Sequence, residues 1–357
     1  MSGTSADGLD AALVRCDGRA IELINFVSAP MPADLRGEIL ALCRPGNDEI
    51  RRAGAAEQRL ATLFAERTLE VAGARRAEVR AIGSHGQTVR HHPDEPLPFT
   101  VQLGNPSLIA ELTGITVVAD FRRRDMAAGG QAAPLAPAFH RALFATPDET
   151  RAVLNLGGIA NLTLLPVNGP VLGFDTGPGN ALMDTWAERH LGEARDEGGR
   201  WAASGKPDEN LLAALMADSY FSLPPPKSTG REKFHREWLG AHLRGVGGNL
   251  QPADVQATLV ELTARTVGEA LLRHGSETRR LLVSGGGIHN AHLMARLGDA
   301  LPGIEVESTA ARGIDPDAVE AVGFAWLAHE TLHGRPGNIP EVTGARGLRI
   351  LGGIYQA

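Results

Sequence analysis

The chain has 357 residues, 43% apolar and 22% charged, with a formal net charge of −7. That length fits about two domains, and the composition is that of an ordinary globular protein. The acidic balance makes nucleic acid and anionic membrane surfaces poor partners, and no apolar run approaches the ~20 residues of a bilayer span.

Forty-three glycines and 22 prolines against 4% aromatic residues suit a many-turned α/β protein better than a helical bundle. The opening MSGTSADG lacks the basic-then-apolar pattern of a secretory leader. Two cysteines, Cys16 and Cys43, are too few for a disulfide framework or a cysteine-rich zinc site. A reducing, cytoplasmic compartment is the expectation.

In chain order, Met1 to Asp10 reads as a tight, donor-rich turn, with Asp7 able to meet a metal directly or through water. The alternative is an ordinary hairpin turn. Strands are expected at Ala11–Val14 and Ile21–Val27, parted by Asp17-Gly18. Helices are expected over 34–42 and 53–72, the second with Leu60, Leu63, Phe64 and Val71 on one face. A strand closing at Ala81-Ile82 runs into Gly83-Ser84-His85-Gly86-Gln87-Thr88. Polar groups and glycines straight after a buried strand are site-like, because ligands of α/β sheets collect at strand ends. His85 also reads as a structural histidine, and His91 and His92 read as loop surface. Phe99, Val101 and Leu103 alternate as a strand, a short helix covers 108–112, and Ile115–Ala119 is a buried strand. After it, Asp120, Arg122, Asp125 and Gln131 lie in a Gly-broken loop, with planar polar groups of the kind that bind sugars and carboxylates. The alternative is a solvated charge run, and a domain boundary is placed here.

The stretch Val153–Asn180 is central. Two apolar strand runs flank Gly157-Gly158 and precede Gly177-Pro178-Gly179, where bare backbone N–H groups can approach an anion. Asp175 is read as the end of a strand, just before a helix whose Leu182, Met183, Trp186 and His190 recur at helical spacing. A carboxylate beside a glycine nest and a helix N-terminus suits phosphate chemistry, and it is equally the place of a helix cap. Further on come a helix over 209–221 and the extended LPPPKSTGREK. That segment has a phosphate-gripping composition (Lys227, Ser228, Thr229, Arg231) without a Walker A pattern. A long helix covers 253–273. The strand Leu281–Val283 is followed by Ser284-Gly285-Gly286-Gly287 and a helix over 290–301, a nucleotide-type turn. A last helix, over 315–333, contains Glu320.

An early Gly/Thr/Ser turn, a mid-chain Gly-rich strand pair and a late strand–GGG–helix occur in that order. This resembles the sugar kinase, actin and heat-shock chaperone ATPase superfamily. More closely, MSGTSADGLDAALV, SHGQTVRH, TVVADFRRRDMAAGGQAAPLAPAFH, LNLGGIANLT, GFDTGPGN, PPPKSTGRE, DVQATLVELTA, LLVSGGGIHN and VTGA together resemble the anhydro-N-acetylmuramic acid kinase family over nearly the whole chain. The resemblance implies a two-domain actin-like ATPase (ribonuclease H-like) α/β fold with a central cleft. It places one domain at 1–121, with 342–357 returning to it, and a second at 122–341. It implies that ATP, with Mg²⁺ neutralising phosphate oxygens, and water convert 1,6-anhydro-N-acetylmuramic acid to N-acetylmuramic acid 6-phosphate in peptidoglycan recycling. It also implies a homodimer.

By the same resemblance, Gly3, Thr4, Ser5, Ala6, Asp7, Gly8, Leu9 and Asp10 form the first phosphate turn, with Asp7 organising the metal's waters. Asn155, Gly157 and Gly158 belong to the second turn, and Gly285, Gly286, Gly287 and Asn290 to the adenosine side. Asp175 is the catalytic base. His85, Gln87, Thr88, Asp120, Arg122, Asp125, Gln131 and Glu320 surround the sugar. Two departures stand out. The family carries a short apolar strand ahead of MSGTS that this sequence does not contain, and Ala132 stands where GGQGAP has glycine, so an altered loop is expected there.

Overall fold

The computed structural model describes every residue of 1–357 except Thr4, Ser5, Gly18, Arg19 and Arg231. The described strands are β1 (Gly8–Cys16), β2 (Ile21–Pro30), β3 (Ile82–Ser84), β4 (Gln87–His92), β5 (Phe99–Leu103), β6 (Val117–Ala119), β7 (Arg151–Leu156), β8 (Ile159–Leu165), β9 (Leu172–Pro178), β10 (Arg280–Ser284), β11 (Glu305–Ser308) and β12 (Gly353–Tyr355). The chain divides into two compact units, Met1–Leu143 with Ala318–Ala357, and Phe144–Asp317. This corrects the expected boundaries. Residues 122–143 and 318–341 pack with the first unit, because Phe121, Leu135, Phe324 and Leu327 share one buried cluster with Leu351.

The second unit is built on a five-stranded sheet of order β11-β10-β7-β8-β9. β7, β8 and β9 form an antiparallel meander, and β10 and β11 add in parallel on the far side of β7. Three consecutive antiparallel strands with two parallel strands beyond the first give the ribonuclease H-like arrangement that the sequence led us to expect. Apolar runs such as Val153-Leu154 and Leu281-Leu282-Val283 are fully buried, as befits strands covered on both faces. The helix Pro252–His274 supplies much of that cover. It is buried from Val255 to Ala264, and its Thr263 hydroxyl donates to Pro178 O at 3.1 Å, which fastens the helix to the end of β9.

In the first unit, β1 and β2 form a hairpin, β12-β6-β3 a three-stranded sheet and β4-β5 a second hairpin. The helices Glu49–Ala72 and Val319–Leu332 both pack against β1. Gly83 admits the second of them, since a Cβ there would overlap the Phe324 carbonyl. His91 and His92 belong to β4 rather than to a loop. The helix expected over 209–221 ends at Met216, and Asp218 then caps a separate turn through Tyr220 N–H at 2.9 Å. The last long helix starts at Val319. The expected turn at Asp17-Gly18 falls partly outside the described residues.

Between the free edges of β1 and β3 lies a cavity of about 670 Å³, lined by Ala11–Cys16 of β1, by residues 79–84, and by Val71, Ala328 and Leu332. Met1 exchanges both backbone hydrogen bonds with Asp10, at 2.8 and 2.9 Å, as residues of an antiparallel pair do. Both strand edges carry unpaired backbone groups and apolar walls. A chain bearing about five apolar residues joined ahead of Met1, enough for a short strand, is therefore expected to melt at a higher temperature than the present one. Equal melting temperatures would count against a strand seat between β1 and β3.

Candidate functional site

In the first unit, the opening turn bends at Ala6, which has φ 50° and donates its N–H to Gly3 O at 3.0 Å. Leu9 is buried in the core and faces structure rather than a ligand, and the Asp10 carboxylate accepts from Ser28 Oγ at 2.7 Å within the β1–β2 hairpin. Asp7 is exposed, and its carbonyl anchors the Met31 N–H at 2.9 Å. Thr4 and Ser5 of the expected phosphate turn lie outside the described residues.

His85 and Arg122, 37 positions apart, meet. The imidazole Nδ1 lies 2.9 Å from Gly86 O, and Nε2 accepts from Arg122 Nε at 2.9 Å. These partners require the neutral tautomer with the proton on Nδ1. Burial, with the guanidinium beside it, holds His85 well below the usual imidazole range. Arg122 Nη1 donates to Ala132 O at 2.6 Å, and burial pushes its guanidinium down to about 10. Glu320, in the first turn of its helix, has its carboxyl raised by burial, with Arg122 the opposing influence. Gln87 is buried, and its Oε1 has no hydrogen-bond partner among the described residues. Thr88 Oγ1 accepts from Gln102 Nε2 at 3.1 Å. Asp120 sits in the left-handed region (φ 60°), which Asp tolerates better than most residues, and burial raises its carboxyl.

Asp125 corrects a sequence expectation. Its side chain is fully buried, and both oxygens are committed. Oδ1 accepts from Asn338 Nδ2 at 2.8 Å and Thr343 Oγ1 at 2.9 Å, and Oδ2 accepts from Ala132 N–H at 2.9 Å. It fastens the Gly129–Ala132 loop and does not reach a ligand. Gln131 is exposed and donates its N–H to Thr343 O at 2.7 Å. Ala132 takes the glycine-like conformation after all, at φ 58°. Asp125 grips its N–H and Arg122 its carbonyl, which offsets a strain of about 1–2 kcal/mol.

In the second unit, the Gly-rich motifs converge at one end of the sheet. Asn155, one residue before the end of β7, pairs with Ser284 of β10. Asn180 N–H donates to Gly157 O at 2.8 Å, and Asn180 Nδ2 to Leu156 O at 3.0 Å. Gly179 is obligatory there, because a Cβ would overlap the Gly157 carbonyl. Gly285 has φ +79° and backs onto Asn155, Gly287 presses on Leu156 and Asn180, and Gly286 faces open space. Gly158 O accepts from the Gly179 and Ala181 N–H groups, at 3.0 and 3.2 Å. Asn290 Oδ1 caps the helix Ala291–Ala300 through Leu293 N–H at 2.9 Å, and Gly199 packs against it. Strand ends, bare glycine backbone and two helix starts are thus gathered in one place, the arrangement that anions favour.

Asp175 lies inside β9, opposite Asn161. The strand runs on to Pro178, and Asn180, not Asp175, precedes the helix Ala181–Leu191. The cap alternative is therefore excluded. The proline-rich segment folds against it as a strap. Asp175 N–H donates to Lys227 O at 3.1 Å, Tyr220 OH donates to Asp175 O at 2.8 Å, and Thr229 N–H donates to Asp175 Oδ2 at 2.9 Å. Burial pushes the Asp175 carboxyl up to about 6, with Glu232 adding to the shift and the Thr229 hydrogen bond and Lys227 opposing it. Lys227 Nζ donates to Tyr220 O and Phe221 O, at 3.1 and 3.3 Å.

A family model described as anhydro-N-acetylmuramic acid kinase matches residues 1–357. The chain belongs to that family. A relative so named from Xanthomonas campestris pv. campestris (strain 8004) is 56% identical over 365 residues, covering 100% of this chain and 96% of that one. Another, from Pseudomonas putida, is 55% identical over 360 residues, covering 100% and 98%. Among solved structures, partial likeness extends to a PilM-PilN type IV pilus biogenesis complex (17% identity, 90% of this chain and 96% of that one, TM-score 0.45). It extends also to the ROK hexokinase from Thermus thermophilus (16%, 90% and 100%, TM-score 0.33).

The strap and Tyr220 are absent from the site residues expected from sequence. Their signal was the Lys-Ser-Thr-Gly composition behind three prolines. The same holds for the DEGG turn, where Asp196 caps through Trp201 and Ala202 N–H, both at 2.9 Å, and brings Gly199 onto Asn290.

Proposed function

We propose that the chain uses ATP and water to convert 1,6-anhydro-N-acetylmuramic acid to N-acetylmuramic acid 6-phosphate and ADP, in recycling of cell-wall peptidoglycan. The observation that carries the chemistry is the Asp175 carboxylate. Thr229 N–H pins one oxygen, while the other has no hydrogen-bond partner among the described residues, and burial pushes the carboxyl up to about 6. That is the state of a general base. In the anhydro sugar the 6-oxygen is tied to the anomeric carbon, so no 6-hydroxyl exists to attack ATP. Water adds to the anomeric carbon and passes its proton to Asp175. The bond from that carbon to the 6-oxygen breaks, and the 6-oxygen takes the γ-phosphoryl group as ADP departs.

The bare backbone at 157–158 and 285–287 serves the nucleotide. Arg122, Glu320 and Gln87 serve the sugar, with His85 and Asp125 holding Arg122 and its loop in place. Asp7, whose exposed carboxylate has no side-chain hydrogen-bond partner among the described residues, would hold a Mg²⁺ through its waters, and no cluster of three or more ligating side chains occurs among the described residues. Such an ion neutralises phosphate oxygens during transfer. A homodimer in a reducing cytoplasm completes the reading, supported by the resemblance and by free Cys16 and Cys43; light scattering reads the oligomeric state.

A coupled ADP-release assay tests this function. ADP release is expected only with the anhydro sugar, and excess EDTA should abolish it. Because the base must be ionised, kcat/KM should rise with pH through about 6 and level off above 7. Equal ADP release without the sugar, or a preference for a free sugar hydroxyl, would reject the proposal.

A further inference from the structure

The strap does more than cover Asp175. We propose that the Thr229 hydroxyl is the second hydrogen-bonding group for the water that Asp175 activates. This rests on the general-base reading above and adds a residue to it.

Thr229 is tied to the base by its own backbone, since its N–H donates to Asp175 Oδ2 at 2.9 Å. Its hydroxyl is therefore one residue's reach from the carboxylate. Thr229 Oγ1 is shielded from solvent and has no hydrogen-bond partner among the described residues, although the residue as a whole is only half-buried. Leaving a buried hydroxyl unpaired costs free energy that a native site rarely concedes without a use. Two of the polar groups nearby are engaged elsewhere, Lys227 Nζ with two carbonyls and Tyr220 OH with Asp175 O. The hydroxyl beside the base is left to take a ligand atom. A single carboxylate oxygen fixes a water's distance but not its direction. A second group, accepting the water's other hydrogen or donating to its lone pair, aims the remaining lone pair at the anomeric carbon. The residue that carries the hydroxyl also donates the N–H that pins Asp175 Oδ2, so base and water-holder keep a fixed separation.

The test is a set of three variants in the sugar-dependent ADP-release assay. Thr229→Val keeps the shape and the backbone N–H but removes the hydroxyl. It is expected to lose about 10–30-fold in kcat, the worth of one hydrogen bond to a reacting group, with the sugar KM changed by less than about threefold and the melting temperature unchanged. Thr229→Ser restores the hydroxyl and should restore most of the rate. The acid limb of the pH profile should stay in place in both, because the groups facing Asp175 (Lys227, Glu232, Tyr220 and the 229 N–H) are retained. In an Asp175→Asn background, Thr229→Val should cost almost nothing more, since the two act on the same water. Full kcat in Thr229→Val would overturn the proposal, as would equal losses in the Val and Ser variants or additive losses with Asp175→Asn. If Asp175→Asn itself keeps near-normal turnover, the general-base reading fails instead, and the two failures are told apart.

Discussion

Asp175→Asn is expected to lower turnover by about 10²–10⁴-fold, the usual contribution of a positioned general base. Sugar binding should stay within about tenfold, because Asn keeps the shape and can still accept the Thr229 N–H at one oxygen. Stability should move the other way. The folded carboxyl is pushed up to about 6 from an ordinary value near 3.8, so between roughly pH 4 and 6 the folded state holds the proton more tightly. The contribution of this carboxyl to stability is greatest below that window and is lost as pH rises through it. A neutral amide escapes this penalty, and above pH 6 the Asn variant should be more stable by about 1–2 kcal/mol. Turnover in ¹⁸O-water supplies the mechanistic check. Label belongs on the anomeric carbon and not in the phosphate, measured quickly against exchange controls. Labelled phosphate, or an Asn variant with near-normal rate, would sink the mechanism.

Asp125→Ala should cost a large share of the stability of the first unit. The side chain is fully buried and satisfies Asn338 Nδ2, Thr343 Oγ1 and the Ala132 N–H. Each buried donor left unpaired costs about 1–3 kcal/mol, and the first two keep only long second contacts at 3.3 and 3.5 Å. A loss of about 3–4 kcal/mol follows. Ala132, no longer held at φ 58°, should relax and release Arg122, so the sugar KM should rise as well. Denaturant midpoints with an unchanged slope measure the first effect. A loss under about 1 kcal/mol would show that the carboxylate is not the clasp described here.

Much of this was legible in the sequence because it is local. Apolar runs such as Leu281–Val283 become strands, and Gly285-Gly286-Gly287 follows its strand as expected. Asp125 was misread for a physical reason. A carboxylate in a Gly-broken, Arg-rich loop looks solvated, and its partners Asn338 and Thr343 lie 213 and 218 positions away. The strap was half-read. Its composition signalled a grip, but its seat on Asp175, 54 positions upstream, is a tertiary fact. The helix Arg236–Val246 was missed because its glycines and charges mask the period. The boundary was misplaced because the Phe121–Ala127 helix carries a linker-like sequence yet buries Phe121 and Met126. Ala132 was expected to alter its loop, and the flanking hydrogen bonds hold the glycine-like conformation instead.

The first unit is assembled from both ends of the chain, whereas Phe144–Asp317 is continuous. During synthesis, the continuous unit has its whole sequence outside the ribosome while residues 1–143 still await theirs. The clasp on Asp125 needs Asn338 and Thr343, so the 129–132 loop cannot be locked until those residues have been made. Contacts of such long span form late and slowly, because loop closure must precede any reward. A chain released early, before 338, would present one unit with its full sequence and another with open strand edges, the kind of surface on which aggregation begins. Closure of the first unit therefore depends on residues 338–343 reaching Asp125.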